Sequence, residues 1–114
     1  MNIKKSLSLI QGRFRDLRTV GTDVFRAERK NNGFTIGVFF FDFGQPLRKS
    51  TFDLKQYLQQ VIATDYYQHE GSLQWNYYLY FILDDPLFNK LWKDGTAANI
   101  EADRVFARKF VKSE

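Results

Sequence analysis

The sequence lacks cysteine entirely, and its 114 residues include only one histidine, one methionine and two prolines. Without cysteine, a disulfide framework and a thiolate metal site are both excluded. The single histidine, His69, lies in a polar stretch beside Glu70, with no second imidazole to share a metal. A Ser–His–Asp arrangement would have to use His69, and no Gly-x-Ser-x-Gly turn is present. A metal site built on thiolates or on several histidines is therefore not expected, and neither is acyl-transfer chemistry.

Long hydrophobic runs and glycine-rich phosphate loops are also missing. The longest apolar run, Ile36–Phe41, is far shorter than the roughly 18 residues of a membrane-spanning helix. Near the N-terminus, Ser8, Gln11 and Arg13 interrupt any apolar core of a signal peptide. No Gly-Lys-Ser/Thr occurs, so the chain is not an ATPase by itself. We expect a cytoplasmic protein without membrane association, without a cofactor and without enzymatic activity.

Aromatic residues are abundant: twelve Phe and six Tyr contribute to an aromatic fraction of 18%. Each such side chain buries on the order of 150–250 Å², so a chain of this length can form a core without covalent staples. The length fits a single domain over residues 1–114, and it also fits an N-terminal domain of a longer protein. A net charge of +4 permits nucleic-acid binding without requiring it.

Hydrophobic periodicity predicts the elements in the first half of the chain. Apolar spacings of three and four predict a helix over residues 6–18. Alternation predicts a strand over 20–30 and a second over 34–43, joined at Asn31-Asn32-Gly33 because Asn-Gly favours a tight hairpin turn. The second strand is apolar on both faces, which is typical of a central, covered strand. A helix over about 52–67 is predicted, with Ser50 as its N-cap.

In the second half, alternation predicts a strand over 74–83, and Pro86 suits the start of a short helix reaching Trp92. The segment 100–111 fits either a strand or a helix, and the strand is preferred. The order α–β–β–α–β–α–β predicts an α+β fold: one small domain with a mixed sheet of about four strands, including a hairpin at 20–43, and helices packed on it.

A nuclease is the one metal-dependent enzyme that the sequence suggests. Glu28-Arg29-Lys30 matches the Glu-x-Lys half of a nuclease signature, with Asp23 upstream. Asp23 and Glu28 are five residues apart on one predicted strand, so they should point to opposite faces. We therefore rank a nuclease third among the hypotheses.

Two features have the character of binding surfaces. Tyr77, Tyr78 and Tyr80 on the second aromatic strand each need a polar partner or water. A basic cluster, which consists of Arg104, Arg108, Lys109 and Lys112, follows near the end of the chain. Such a cluster protects a strand edge, pairs with an acidic partner or contacts phosphate.

Two stretches together resemble a known family. Residues 72–80 read Ser-Leu-Gln-Trp-Asn-Tyr-Tyr-Leu-Tyr, and residues 99–111 read Asn-Ile-Glu-Ala-Asp-Arg-Val-Phe-Ala-Arg-Lys-Phe-Val. Both resemble the small middle components of bacterial ABC-three-component systems, which combine an ABC/SMC-like ATPase, a middle component and an effector in defence against phages or plasmids. The specific similarity covers about the C-terminal third of the chain.

The resemblance implies a non-enzymatic adaptor in a multi-component antiviral defence system. Its partners would be an ABC/SMC-like ATPase and an effector protein, with DNA association through the complex. The expected partner-binding residues are Gln74, Trp75, Asn76, Glu101, Asp103, Arg104, Arg108 and Lys109. The alternative hypothesis is a nucleic-acid-binding module that uses the basic C-terminal segment.

Overall fold

Five strands form one mixed sheet in the computed structural model, which describes residues 14–69 and 71–113. The strands are β1 (Arg15–Gly21), β2 (Val24–Asn31), β3 (Phe34–Asp42), β4 (Tyr77–Leu83) and β5 (Arg108–Ser113). They lie in sequence order across the sheet. The first three pair antiparallel, whereas β3, β4 and β5 run parallel.

Helices make both parallel connections. They are α1 (Leu54–Val61), α2 (Ala63–Tyr67), α3 (Asp85–Lys93) and α4 (Thr96–Ala102). Short 3₁₀ turns cover Pro46–Arg48 and Gly71–Asn76. An aspartate caps α1 and another caps α3: the Asp53 and Asp84 carboxylates accept hydrogen bonds from backbone N–H groups in the first turns. None of the helices in the described ranges is long and apolar enough to cross a membrane.

Both crossovers pass over the same face of the sheet. Strands β3, β4 and β5 step across the sheet in one direction, and right-handed crossovers then place all the helices on one side. Apolar side chains of the helices and of this sheet face form one buried cluster, which includes Val38, Phe40, Leu58, Ile62, Leu79, Phe81, Leu91, Ile100 and Val111. The main core therefore lies between the sheet and the helices.

The other face of the sheet carries rows of aromatic rings. Phe39 stacks on Tyr78 with ring centroids 4.8 Å apart. Tyr80 stacks between Phe41 and Phe110, at 5.3 and 4.9 Å. These offset contacts add about 0.5–1.5 kcal/mol per pair beyond area burial. The aromatic strands thus stabilise the sheet laterally as well as filling space.

The expected α+β class and the mixed sheet are confirmed, with five strands instead of about four. The hairpin turn is also confirmed: Asn32 and Gly33 both have positive φ, 52° and 81°. Along β3, Val38 and Phe40 join the helix-covered core, while Phe39 and Phe41 join the opposite cluster. The two apolar faces of this strand are therefore where the alternation placed them.

The helix predicted over 6–18 is wrong where it can be compared. Residues 1–13 lie outside the described residues, and from Arg15 the chain is strand β1. Its backbone pairs with β2, and a two-residue turn with Asp23 at φ 56° separates the two strands. The sequence prediction placed Val20–Lys30 in a single strand and so merged the end of β1 with β2. Gly21 lies directly before the turn, but the turn residues themselves are neither glycine nor proline.

Three further boundaries differ from the predictions. The helix expected over 52–67 divides at Ile62 (φ −113°), and its N-cap is Asp53, not Ser50. The strand expected from Gln74 begins at Tyr77, after the 3₁₀ turn. Residues 100–111 contain both alternatives in succession, because α4 ends at Ala102 and β5 begins at Arg108. Arg104 and Arg108 consequently do not share a strand face.

Candidate interaction surface

A groove of about 310 Å³ opens at the end of the sheet where β4 and β5 begin. The 3₁₀ turn before β4 forms one wall, and the loop 103–107 before β5 forms the other. Its lining includes Tyr66, Gln74, Trp75, Arg104, Phe106 and Arg108. Because β4 and β5 are parallel neighbours, the segments that precede them necessarily meet at this end of the sheet.

The first wall presents Trp75 to solvent. Its side chain is 81% exposed, although a large apolar ring normally finds cover. The residues on either side are held inward: Gln74 donates a hydrogen bond to the Tyr66 carbonyl oxygen (2.9 Å), and the Asn76 amide oxygen accepts one from Tyr78 (3.4 Å). The turn is therefore anchored by its flanking amides, and Trp75 projects from a fixed base.

The second wall is a strained loop. Phe106 has φ 65°, and the Ala107 N–H donates to the Val105 carbonyl oxygen at 2.8 Å, which closes a γ-turn of the rare positive-φ type. A bulky residue with positive φ costs of order 1–3 kcal/mol and persists only where the surroundings impose it. Strain of this kind is concentrated at binding and active sites.

Lys109 imposes the conformation of this loop. Its side chain is fully buried, and the ammonium donates to the Asp103 carboxylate (2.7 Å) and to the carbonyl oxygens of Asp103, Val105 and Ala107 (3.2, 2.8 and 2.8 Å). Burial lowers the pKa of Lys109, and the carboxylate of Asp103 opposes that shift. One cation thus joins four acceptors of a five-residue loop.

Aromatic rings form the floor between the two walls. Phe106 packs against Tyr66 and Tyr67, with centroid separations of 5.1 and 5.5 Å. Tyr66 also contacts Tyr77 at 5.5 Å. Tyr67 is 67% exposed, so the aromatic surface continues beyond the groove. The result is a contiguous aromatic patch formed by α2, the 3₁₀ turn and the loop.

A buried ionic network lies beside this floor. Arg26 of β2 contacts Asp65 of α2 through Nε (2.5 Å) and Nη2 (3.2 Å), and it contacts Glu28 through Nη1 (2.7 Å). Asp65 also accepts a hydrogen bond from the Tyr77 hydroxyl (2.5 Å), and Glu28 accepts one from Thr35 (2.5 Å). The network fastens α2 to the sheet and fixes Tyr77 at the base of the groove.

The two carboxylates of this network stay ionised. Burial by itself would raise the pKa of Asp65, but the hydrogen bonds from Arg26 and Tyr77 outweigh it and hold that pKa below its usual range. For Glu28, burial is likewise outweighed by hydrogen bonds from Thr35 and Arg26, and its pKa is lowered. Glu28 is thus saturated by structural partners, which leaves it poorly suited to hold a catalytic metal.

Arg104 and Arg108 stand at the rim of the groove. Both are exposed, and neither guanidinium group forms a hydrogen bond or an ion pair with any other residue in the described part of the chain. By contrast, Arg26, Lys30 and Arg48 all have carboxylate partners. The rim cations are available to an external group.

The structure separates the eight expected partner-binding residues into two groups. Trp75, Arg104 and Arg108 line the groove with side chains that have no hydrogen-bond partner among the described residues, and Gln74 also lines it. The others serve the fold: Lys109 and Asp103 form the loop clamp, Glu101 accepts a hydrogen bond from the Val111 N–H (2.9 Å), and Asn76 contacts Tyr78. The two segments that carry the family resemblance, 72–80 and 99–111, therefore do meet at the groove, although only some of the expected residues line it.

Sequence reasoning did not assign Tyr66, Tyr67 or Phe106 to a binding surface. The adjacent Tyr66-Tyr67 pair at the end of a helical pattern was the available signal, since two neighbouring aromatic residues cannot both face one core. It also treated Tyr77, Tyr78 and Tyr80 as one surface. Tyr77 is buried on the helix-covered face, and the other two lie on the opposite face, in lateral stacks.

A second cleft, of about 370 Å³, lies at the opposite end of the sheet and contains Asp42 and Tyr57. Burial raises the pKa of Asp42, while its carboxylate accepts hydrogen bonds from the Tyr57 hydroxyl (2.6 Å) and the Gly44 N–H (2.7 Å). Both oxygens thus have internal donors, and the pair joins α1 to the end of β3. We interpret this cluster as structural.

Among the residues that the structure describes, no three His, Asp or Glu side chains converge to hold a metal ion. Comparison with known proteins finds no family model that matches the chain. No curated protein and no solved structure matches it either. The arrangement of the groove is thus the feature from which a function can be argued.

Proposed function

We propose that this chain is a non-enzymatic interaction module, an adaptor that binds a partner protein through the groove formed by Trp75, Phe106 and the rim arginines. The observation that carries the proposal is the convergence, on one concave surface, of an exposed tryptophan, an aromatic floor and two arginines that have no side-chain partner among the described residues. Trp, Tyr and Arg are the residues enriched at energetic hot spots of protein interfaces.

The rigidity of the groove supports the same function. The Trp75 wall is anchored by Gln74, and the Phe106 wall is clamped by buried Lys109. A surface that is ordered before association loses less conformational entropy on binding, and more of the contact energy then appears as affinity. The strained backbone at Phe106 also fits a binding surface, because strained conformations that reduce stability are found mainly at functional sites.

The partner class follows from the resemblance. The two stretches that resemble middle components of ABC-three-component systems, 72–80 and 99–111, are the ones that contribute the two walls of the groove. On this proposal the groove binds the ABC/SMC-like ATPase of such a system, and the adaptor connects that ATPase to an effector in cytoplasmic defence against phages or plasmids. Its own role requires no cofactor.

Affinity capture with the proteins encoded beside this chain tests the proposal. We expect the tagged chain to recover an ATPase, and Arg108→Glu to weaken the complex at least tenfold, since it removes a free rim cation and adds a like charge to an acidic partner.

Lys55→Glu is the matched control. It changes the net charge by the same amount on α1, at the far end of the sheet, and should leave capture unchanged. Recovery of no partner by the wild-type chain, or equal weakening by both variants, would count against an adaptor that uses this groove.

A further inference from the structure

We infer that the groove recognises an acidic segment of its partner, in which one large apolar side chain enters the groove and flanking carboxylates pair with Arg104 and Arg108. This inference rests on the proposed function and specifies the chemistry of the segment bound. The supporting observations are the charge of the rim, the size and lining of the groove, and the state of the neighbouring strand edge.

The rim supplies the charge complementarity. Arg104 and Arg108 have no acidic partner in the described part of the chain, although carboxylates are near: Asp103 pairs with Lys109, and Glu101 holds the Val111 N–H. Guanidinium groups present planar forks that match carboxylates bidentately. Two such forks at the mouth of one groove favour a segment with two acidic side chains.

The lining supplies the anchor site. Trp75, Phe106 and Tyr66 give the groove an aromatic interior, and its volume of about 310 Å³ lies at the lower end of the range of roughly 300–1,000 Å³ for ligand pockets. That volume suits a single large side chain better than the apolar face of a whole helix. An aromatic or branched aliphatic residue of the partner would cover the exposed ring of Trp75, and the burial of this apolar surface would favour binding.

The strand edge next to the groove disfavours a common alternative, the addition of a partner strand to the sheet. A partner peptide could otherwise extend the sheet by pairing with β5, which is an edge strand. At Val111, however, the N–H donates to Glu101 and the carbonyl oxygen accepts from the Trp92 indole (3.4 Å). Side chains thus already occupy both outward backbone groups of Val111, so a peptide strand cannot pair at this position, which favours recognition through the groove and its rim.

The same surroundings favour protein over nucleic acid. A phosphate backbone is followed by a continuous run of cations, and the affinity comes from many such contacts. Among the described residues that line the groove, the free cations are the two arginines, and the carboxylates of Glu101 and Asp103 lie on the same segment. An acidic protein segment needs only the local pair of cations.

Selection from a random 12-residue peptide library displayed on phage, with the purified chain as bait, tests the inference. We expect the enriched peptides to contain at least two Asp or Glu residues around one Phe, Trp, Leu or Ile. Synthetic versions should lose about tenfold or more in affinity for Arg104→Glu/Arg108→Glu, and should keep their affinity for Lys55→Glu. Circular dichroism and thermal melting establish that each variant is folded.

Enrichment of basic or uncharged peptides would overturn the inference, as would enrichment of none. So would tighter binding of a 12-nucleotide single-stranded DNA than of the selected peptides. If an ATPase is still captured in an Arg108-dependent manner when no acidic peptide is enriched, the adaptor function survives and the acidic segment is rejected. If neither Arg108-dependent capture of an ATPase nor enrichment of acidic peptides is observed, the groove is not a partner-binding site.

Discussion

Asp65→Ala is expected to reduce the free energy of unfolding by about 3 kcal/mol at pH 7, because it leaves the buried guanidinium of Arg26 with half of its partners. Breaking a buried ion pair from one side typically costs about 3–5 kcal/mol, and the lower end applies since Glu28 still contacts Nη1. Urea denaturation followed by circular dichroism measures the difference.

The pH dependence of the stability of Asp65→Asn shows whether the contribution of Asp65 comes from its negative charge or from its packing. The pKa of Asp65 is lowered from an ordinary value of 3.8 in the folded chain, so its ionised form adds stability that is fully present above about pH 4. That stability is lost as the pH falls through the lowered pKa. The difference between wild type and Asp65→Asn should therefore vanish in strong acid.

Asp94→Asn is the control. Asp94 is an exposed aspartate at the end of α3, and hydrogen bonds from the neighbouring Thr96 lower the pKa of its carboxyl group. We expect it to cost far less than Asp65→Ala. If Asp65→Ala were no more destabilising than Asp94→Asn, the ionic network would not be what fastens α2 to the sheet.

The second large effect is expected at Lys109. Lys109→Met keeps much of the side-chain volume but removes the ammonium, which is a donor to three carbonyl oxygens and to the Asp103 carboxylate. The Val105 carbonyl and the Asp103 carboxylate keep the N–H donors of Ala107 and Val105, whereas the structure shows no other donor to the carbonyls of Asp103 and Ala107 among the described residues. A buried acceptor left unsatisfied costs about 1–3 kcal/mol, and water can reach the partly exposed Asp103, so we expect a loss of about 2–3 kcal/mol in the free energy of unfolding.

The loop should respond more than the rest of the fold. Amide hydrogen exchange at Val105 and Ala107, whose N–H groups bond within the loop, should accelerate strongly in Lys109→Met, while exchange in β3 and β4 changes only with global stability. Lys112→Met, which alters an exposed lysine on β5, serves as the comparison. Unchanged exchange at Ala107 would show that Lys109 does not hold the strained turn.

The elements that could be predicted from the sequence are those with a strong local pattern. The Asn31-Asn32-Gly33 turn, the two-faced apolar strand that follows it and the short helix after Pro86 depend on residues within a few positions of each other. The first part of β1, from Arg15 to Arg18, was predicted as helix because pairing with β2 overrides its helical spacing, and local propensity carries no information about that pairing.

The candidate site was predictable in part for a similar reason. Exposed Trp75 and the arginines are chemically conspicuous in the sequence, and the parallel order of β4 and β5 brings them together. The role of Lys109 was not predictable, since a lysine is buried only when several acceptors converge on it. Three of the four acceptors are backbone carbonyls, and their convergence requires the turn at Phe106.

The affinity of the captured partner for Trp75→Ala tests the central claim most directly. Isothermal titration should show a loss of about 30-fold or more, because removing a tryptophan from an interface centre costs about 2 kcal/mol or more. Phe34→Ala, which truncates another highly exposed aromatic side chain (75%) outside the groove, should change affinity less than about threefold. If Trp75→Ala binds as tightly as wild type, or if Phe34→Ala loses as much, the partner does not bind in this groove.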